Sequence, residues 1–96
     1  MHSHLAKMLG QYISDTRQEI SMRQRELAKT LGISAQFLGR IEKGDVMIPD
    51  DILSHCISVL KLSKSQIITI YRAAGEKKAE LILQSSKERA KAKKQA

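Results

Sequence analysis

The amino-acid sequence predicts an all-α fold of five helices, followed by a basic sixth helix or tail. Apolar residues recur at helical spacing in five successive segments, which is the pattern of amphipathic helices. Gly32, Gly44 and Gly75 follow three of these segments, and glycine is common just after a helix end. A chain of 96 residues is expected to form one domain, here residues 1–75, with residues 76–96 as a basic extension.

The first helix is predicted to run from Ser3, as its N-terminal cap, to about Thr16. Its apolar residues follow the spacing i, i+3, i+4, i+7 and i+8 of a single helix face. They are Leu5, Met8, Leu9, Tyr12 and Ile13.

His2 and His4 lie at the chain start without neighbouring cysteines or carboxylates that would complete a metal-ligand set. Neither a metal site nor a cofactor is therefore expected.

The segment from Gln24 to Gly44 predicts two short helices joined by a tight turn. The apolar stripe of the first is Leu27, Ala28 and Leu31, and that of the second is Leu38 and Ile41. Gly32 tolerates the positive φ that ends the first helix, and Ser34 can cap the second. The small side chain of Ala28 would let the two helices pack closely.

Capping signals predict where the other helices begin. Ser21 and Gln24 have the spacing of a capping box, so helix two is expected to begin a residue or two before Gln24. Pro49, at a first helical position, opens helix four; the apolar residues of that helix are Ile52, Leu53, Cys56, Ile57 and Leu60. Ser63 and Gln66 repeat the capping-box spacing before helix five, with Ile67, Ile68, Ile70, Tyr71 and Ala74 as its apolar residues. This set is broader than one packing stripe needs, so helix five either faces a second subunit or is fully buried.

Charge and cysteine content limit the classes of function. Seventeen basic and ten acidic residues give a net charge of +7, consistent with either a polyanionic partner or a solvated basic surface. The single cysteine, Cys56, excludes an internal disulfide and is typical of a reducing compartment. The sequence has no apolar run long enough for a membrane span and no secretory signal. A cytoplasmic protein that does not contact the membrane is expected.

The sequence carries no pattern that indicates catalysis. It lacks metal-ligand spacing, a phosphate-cradling glycine loop and a nucleophile–base constellation. His55 lies next to Cys56, but no third group supports nucleophilic catalysis. We therefore do not expect an enzyme.

The segment from Gln24 to Gly44 resembles the helix-turn-helix of the Cro and lambda-repressor-like family. The matching positions are Gln24, Leu27, Ala28, Gly32, Ile33, Ser34, Leu38, Ile41, Glu42 and Gly44. The resemblance covers about residues 9–75 and implies the five-helix DNA-binding domain of that family. It also implies that Arg17, seven residues before Gln24, pairs with Glu42; the alternative is a surface arginine that contacts phosphate or water.

The predicted recognition helix divides into core-facing and exposed positions. Because Ile33, Leu38 and Ile41 belong to the core, the exposed side is left to Ser34, Ala35, Gln36, Gly39, Arg40 and Lys43. All of these except Lys43 are predicted base contacts. Gln36 can bond adenine N6 and N7, and Arg40 can bond guanine O6 and N7 or a phosphate. Gly39 would either permit close approach to the groove floor or be tolerated because nothing packs against it.

Residues around this helix are predicted to contact DNA phosphates. They are Arg23, Gln24, Phe37, Lys43 and Gly44. Gln24 can bind a phosphate or serve the capping box, and the resemblance implies that backbone amides near Gly44 hold a phosphate. Phe37 can lie against the DNA backbone or pack under the helix.

These features predict a sequence-specific regulator of transcription that binds double-stranded DNA. We expect a homodimeric repressor that reads an inverted repeat through the major groove, in a bacterial, phage or mobile-element context. Residues 76–96, with seven Lys or Arg and three Glu, would pair across the dimer and touch flanking phosphates, or form a helix to about Arg89 followed by a disordered tail. The alternative function is an antitoxin whose C-terminal segment binds a toxin and which autoregulates its operon.

Overall fold

The computed structural model describes residues 4–75, and within this range the chain forms five α-helices and no strands. The helices are α1 (His4–Glu19), α2 (Gln24–Leu31), α3 (Ala35–Lys43), α4 (Asp50–Leu60) and α5 (Lys64–Ala73). The predicted all-α fold of five helices is confirmed, although α1 extends beyond its predicted end at Thr16. The predictions for Ser3 and for residues 76–96 lie outside the described residues.

All five helices contribute apolar side chains to one core. Its buried members include Leu9 and Ile13 of α1, Leu27 and Leu31 of α2, Leu38 and Ile41 of α3, Leu53 and Cys56 of α4, and Ile67, Ile70 and Tyr71 of α5. Three apolar residues of α5 are buried within this one molecule, but Ile68 is half-buried and Thr69 is exposed. α5 is therefore not fully buried, and its contact with a second subunit stays a prediction. None of the helices in residues 4–75 has the length and apolar character that a membrane crossing requires.

Two glycines allow α1 to cross the C-terminal end of α3 at very short range. A Cβ atom on Gly10 would collide with the backbone carbonyl oxygens of Ile41 and Glu42, and one on Gly44 would lie 2.6 Å from both Cα and Cγ of Lys7. Any side chain at these positions would push the two backbones apart. The close crossing of α1 over α3 therefore depends on Gly10, whose role the sequence did not indicate.

The first four helices each end in a Schellman-type turn, in which an amide bonds to the carbonyl five residues earlier. The bonds run from Met22 N to Arg17 O, Ile33 N to Ala28 O, Asp45 N to Arg40 O and Leu62 N to Ile57 O, at 2.9–3.0 Å. The residue with positive φ is Gly32 in α2, as predicted, and Gly44 in α3, but it is Ser21 (57°) in α1 and Lys61 (54°) in α4. The left-handed backbone of Ser21 closes α1.

Two helix starts differ from the prediction. Because Ser21 belongs to the end of α1, it cannot cap α2, and the predicted Ser21–Gln24 capping box is wrong. α2 begins at Gln24 itself, with Arg23 as its N-cap residue, rather than a residue or two earlier. Pro49 is the N-cap residue of α4. The sequence predicts it one position further into the helix, as the first helical residue.

Serine side chains cap α3 and α5, as predicted. Ser34 Oγ accepts from Phe37 N at 3.0 Å, and Ser63 Oγ accepts from Gln66 N at 3.2 Å. In a capping box, the side chain of Gln66 would accept a hydrogen bond from the backbone amide of Ser63. That amide instead donates to the hydroxyl oxygen of Tyr12 in α1, at 2.9 Å. This bond ties α1 to the turn between α4 and α5.

Candidate nucleic-acid interface

α3 presents a polar face opposite the side that anchors it in the core. Leu38 and Ile41 are buried, whereas Gln36, Arg40 and Lys43 are exposed. Spacings of four and three residues place these three side chains on one face of the helix. An amide and two cations supply donors suited to base edges and phosphates. The two cations also lie in the last turn of α3, where the helix dipole favours positive charge.

Ser34, Ala35 and Gly39 border this face. Ser34 is exposed. Its Oγ accepts a hydrogen bond from the backbone amide of Phe37, so its hydroxyl hydrogen is available to donate to another group. Ala35 is half-buried and packs against the core, so it is less exposed than predicted. A Cβ on Gly39 would lie 3.5 Å from Nε2 of Gln24. Gln24 therefore borders the position beside Gly39, and both alternatives for this glycine stay predictions.

Arg17 and Glu42 are brought together at the junction of α1 and α3. Arg17 Nε donates to Glu42 Oε2 at 2.7 Å, and Arg17 Nη2 donates to Glu42 Oε1 at 3.1 Å. Arg17 Nη1 also donates to the carbonyl oxygen of Met22 at 2.8 Å. The side chains of Arg17 and Glu42 are only 12% and 6% exposed. Loss of either partner would therefore leave a largely buried charge without compensation.

Gln24 joins this ion pair instead of a capping box. Its Nε2 donates to Glu42 Oε1 at 2.9 Å, so one carboxylate accepts hydrogen bonds from both α1 and α2. A primary amide has a second N–H and a carbonyl oxygen, and Gln24 is half-exposed. Gln24 can thus bond Glu42 and an external group at the same time.

The N-terminus of α2 is surrounded by positive charge. Its N-cap residue, Arg23, has no side-chain acceptor of the kind that Ser, Thr, Asp or Asn provides. Arg23 and Arg25 are exposed, although the positive end of a helix dipole favours acidic neighbours. The negative charge of Glu26 offsets part of this positive charge. Its carboxylate accepts a hydrogen bond from the backbone amide of Arg23 at 3.4 Å. Arginines beside helix amides that lack a side-chain cap form an attractive place for a phosphate.

The exit turn of α3 differs from the prediction at Gly44. Gly44 is buried, and its amide donates to the carbonyl of Ile41 at 3.0 Å, so its geometry does not support the predicted phosphate contact. Lys43 is exposed, while Phe37 is half-buried and packs against the core. Lys7, also exposed, lies against Gly44 and adds a cation to this turn. No local sequence pattern indicates Lys7 as a residue of the interface, because only the packing of α1 against α3 places it beside Gly44.

Cys56 lies in the core near Glu42. Its side chain is 0% exposed, and burial, together with the negative charge of Glu42, raises the pKa of the Cys56 thiol to about 12. A thiol that keeps its proton is a poor nucleophile and a poor metal ligand. Cys56 is therefore a core residue, as predicted.

Comparison with known proteins matches residues 13–67 to the sequence model of the helix-turn-helix family. The ImmF control region 10 kDa protein of Bacillus phage phi105 is 35% identical over an alignment of 69 residues, which covers 65% of this chain and 77% of that protein. Two crystal structures of the clp gene regulator ClgR from Corynebacterium glutamicum superpose on the chain. The TM-score is 0.64 over 77% of this chain and 95% of the first, and 0.65 over 96% of this chain and 92% of the second. At 20% sequence identity, this likeness shows a shared fold.

Proposed function

Because the chain belongs to the helix-turn-helix family of DNA-binding transcription regulators, of the Cro and lambda-repressor type, we propose that it acts as a homodimeric repressor. In this proposal α3 enters the major groove, and two copies related by a twofold axis read an inverted repeat with half-sites about 34 Å apart. The observation that carries the proposal is the exposed face of Gln36, Arg40 and Lys43 on a helix whose other side is fixed in the core.

Sequence readout is assigned to the first two turns of α3. Gln36 would bond adenine N6 and N7, and Arg40 would bond guanine O6 and N7. Ser34 would donate its hydroxyl hydrogen, and the exposed part of Ala35 would touch a thymine methyl group. Gly39 would allow the helix to approach the groove floor. Burial of Leu38 and Ile41 supports this assignment, because it orients the reading face.

Affinity is assigned to contacts with the DNA backbone. Arg23 and Gln24 at the start of α2, and Lys43 and the exposed part of Phe37 on α3, would contact phosphate and sugar. Lysine and arginine contacts release counterions from the duplex, so binding should weaken steeply as salt rises. The net charge of +7 supports such an electrostatic contribution.

Dimerisation is assigned to residues 76–96, which lie outside the described residues. Leu81, Ile82 and Leu83 would pair across the twofold axis, and the basic residues that follow would reach flanking phosphates. A bound dimer would block access to a promoter. The phage origin of one relative favours a phage or mobile-element regulator that acts in the bacterial cytoplasm. The alternative function, an antitoxin that binds a toxin, also depends on residues 76–96. In the experiment below, DNA binding without sequence preference would favour it.

Selection of bound duplexes from a randomised DNA pool, at low and at physiological salt, tests this proposal. The expected result is an inverted repeat that survives the higher salt. A variant that combines Gln36→Ala and Arg40→Ala is the control, and it should enrich no comparable repeat. Binding by the unaltered chain without any enriched sequence, and lost at the higher salt, would contradict specific readout and direct attention to a protein partner.

A further inference from the structure

The side-chain amide of Gln24 lies beside Gly39, at contact distance from the position that a Cβ atom on this glycine would occupy. A Cβ atom on Gly39 would lie 3.5 Å from Nε2, 3.7 Å from Oε1 and 3.9 Å from Cδ of Gln24. Alanine at this position would therefore make ordinary contacts, whereas a longer side chain would occupy the space of the amide. Gln24 of α2 thus borders the space beside Gly39, and a side chain longer than that of alanine on α3 would compete with its amide.

Glu42 determines how this amide is oriented. A carboxylate accepts but does not donate, so the nitrogen of Gln24 faces Glu42 Oε1, at 2.9 Å, and the carbonyl oxygen turns away. The carboxylate is itself held, because Arg17 donates to both of its oxygens. The guanidinium charge also offsets that of the carboxylate, so a phosphate near Gln24 would not meet an uncompensated negative charge.

We propose that Gly39 and Glu42 are positioning residues that fix the Gln24 amide for contact with DNA. Gly39 provides the space and Glu42 sets the orientation, so that the second N–H of Gln24 can donate to a phosphate oxygen beside the arginines of α2. This inference rests on the proposed DNA-binding function and deepens it. It gives Gly39 a role through Gln24, in addition to any close approach to the bases.

A double-mutant cycle in DNA affinity tests the proposal. Dissociation constants would be measured at one salt concentration on the duplex selected by the unaltered chain, for Gln24→Ala, Gly39→Gln and the double variant. Each single variant should bind about tenfold more weakly, as expected for one lost hydrogen bond to a charged group. The double variant should be no weaker than either single variant, because both changes remove the same contact. The matched control, Ser58→Gln, places the same side chain at an exposed position of α4 outside the proposed interface and should stay within about twofold of the unaltered chain.

If the two effects multiply in the double variant, Gly39 acts on DNA independently of Gln24, and the proposal is wrong. The role of Glu42 is tested by the side-chain NH₂ signals of Gln24 in NMR spectra of the DNA-free chain. Slow exchange of these protons with water and a downfield shift of the proton that faces Glu42 are expected, and in Gly39→Gln both should return to the values of a solvated amide. Signals typical of a solvated amide in the unaltered chain would overturn the proposal even if DNA binding is normal. If the NH₂ signals show that the Gln24 amide is bonded to Glu42 but the chain binds no duplex, the proposed function is wrong, and these residues have no role in DNA binding.

Discussion

Gly10 and Gly39 are both glycines within helices, but their surroundings predict opposite responses to alanine. A Cβ on Gly10 would collide with backbone carbonyl oxygens of α3, which cannot rotate away. We expect Gly10→Ala to lower the free energy of unfolding by about 3 kcal/mol, because α1 and α3 must separate. Gly39→Ala makes only ordinary contacts, and alanine favours helices, so it should raise that free energy by up to about 1 kcal/mol.

Urea unfolding followed by circular dichroism would compare the two variants with the unaltered chain. The two substitutions are chemically identical and both lie in helices, so each is the control for the other. Equal losses of stability in both variants would show that the crossing of α1 and α3 is not the cause.

Gln36 and Arg40 should determine sequence preference, whereas Lys43 should determine affinity. Gln36→Ala and Arg40→Ala are each expected to reduce discrimination at one base pair by about 10- to 100-fold, because a bidentate contact with a base is lost. Lys43→Ala should weaken binding to all duplexes alike and reduce the slope of log K against log salt by about 1. Competition binding against single-base variants of the selected duplex measures both effects. Unchanged preference in the first two variants, with binding retained, would show that other residues read the bases.

The raised pKa of Cys56 should make the fold sensitive to alkali. In the unfolded chain the thiol titrates near its ordinary value of 9.0, whereas the buried thiol keeps its proton to about pH 12. Between these values the folded chain binds more protons than the unfolded chain. The free energy of unfolding should therefore fall as pH rises, by up to about 1.4 kcal/mol per pH unit, and this contribution should be constant below pH 9.

Cys56→Ala removes this titration while tyrosines and lysines titrate as before. Between about pH 8 and pH 10, the unaltered chain should lose about 1.4 kcal/mol more stability than the variant, as measured by urea unfolding. The variant should be less stable at neutral pH by a fixed amount, because it leaves a small cavity. Parallel pH profiles would mean that the thiol ionises as readily in the folded chain as in the unfolded chain.

At the scale of the helices, α4 ends on lysine where α2 and α3 end on glycine. Lys61 has a φ of 54°, and a residue with a side chain is disfavoured in this left-handed region by about 1–2 kcal/mol. Glycine relieves this strain but makes the unfolded chain more flexible. We expect Lys61→Gly to raise the free energy of unfolding by about 0.5–1 kcal/mol.

Gly32→Ala is the matched reverse change at the end of α2. Gly32 has a φ of 73°, and a Cβ built there would have no atom within 4 Å, so any loss of stability reports backbone strain and not a collision. Thermal unfolding should show a loss of about 1 kcal/mol for Gly32→Ala. A loss at Gly32 without a gain at Lys61 would show that the lysine side chain stabilises the end of α4 by another contact.

At the scale of the whole molecule, the described helices bury their apolar faces within one chain. In residues 4–75 the large apolar side chain that stays exposed is that of Ile20, at 52%. If residues 76–96 form the dimer interface, the full chain should have the mass of a dimer in light scattering, and a chain that ends at Gly75 should have the mass of a monomer. A dimer mass for the shortened chain would place the interface in residues 1–75, with the half-buried Ile68 of α5 as the first position to alter.

Much of the fold and part of the candidate site could be predicted from local signals. The stripe of Leu27, Ala28 and Leu31 identifies α2 because apolar side chains must share one face of a helix to be buried together. Ser34 marks the start of α3 because its hydroxyl satisfies a backbone amide within its own turn. Gln36, Arg40 and Lys43 could be assigned to the exposed face once Leu38 and Ile41 were assigned to the core.

The sequence by itself determined the order of the helices, their apolar faces and the exposed polar face of α3, because these depend on residues a few positions apart. Tertiary structure alone decided three features: the close crossing at Gly10, the left-handed backbone at Ser21 and Lys61, and the seat of the Gln24 amide between Gly39 and Glu42. Two of these join residues that lie far apart in the chain and meet only when the helices pack. At Ser21 and Lys61, the path that the chain must take to the next helix overrides the local preference of the residue.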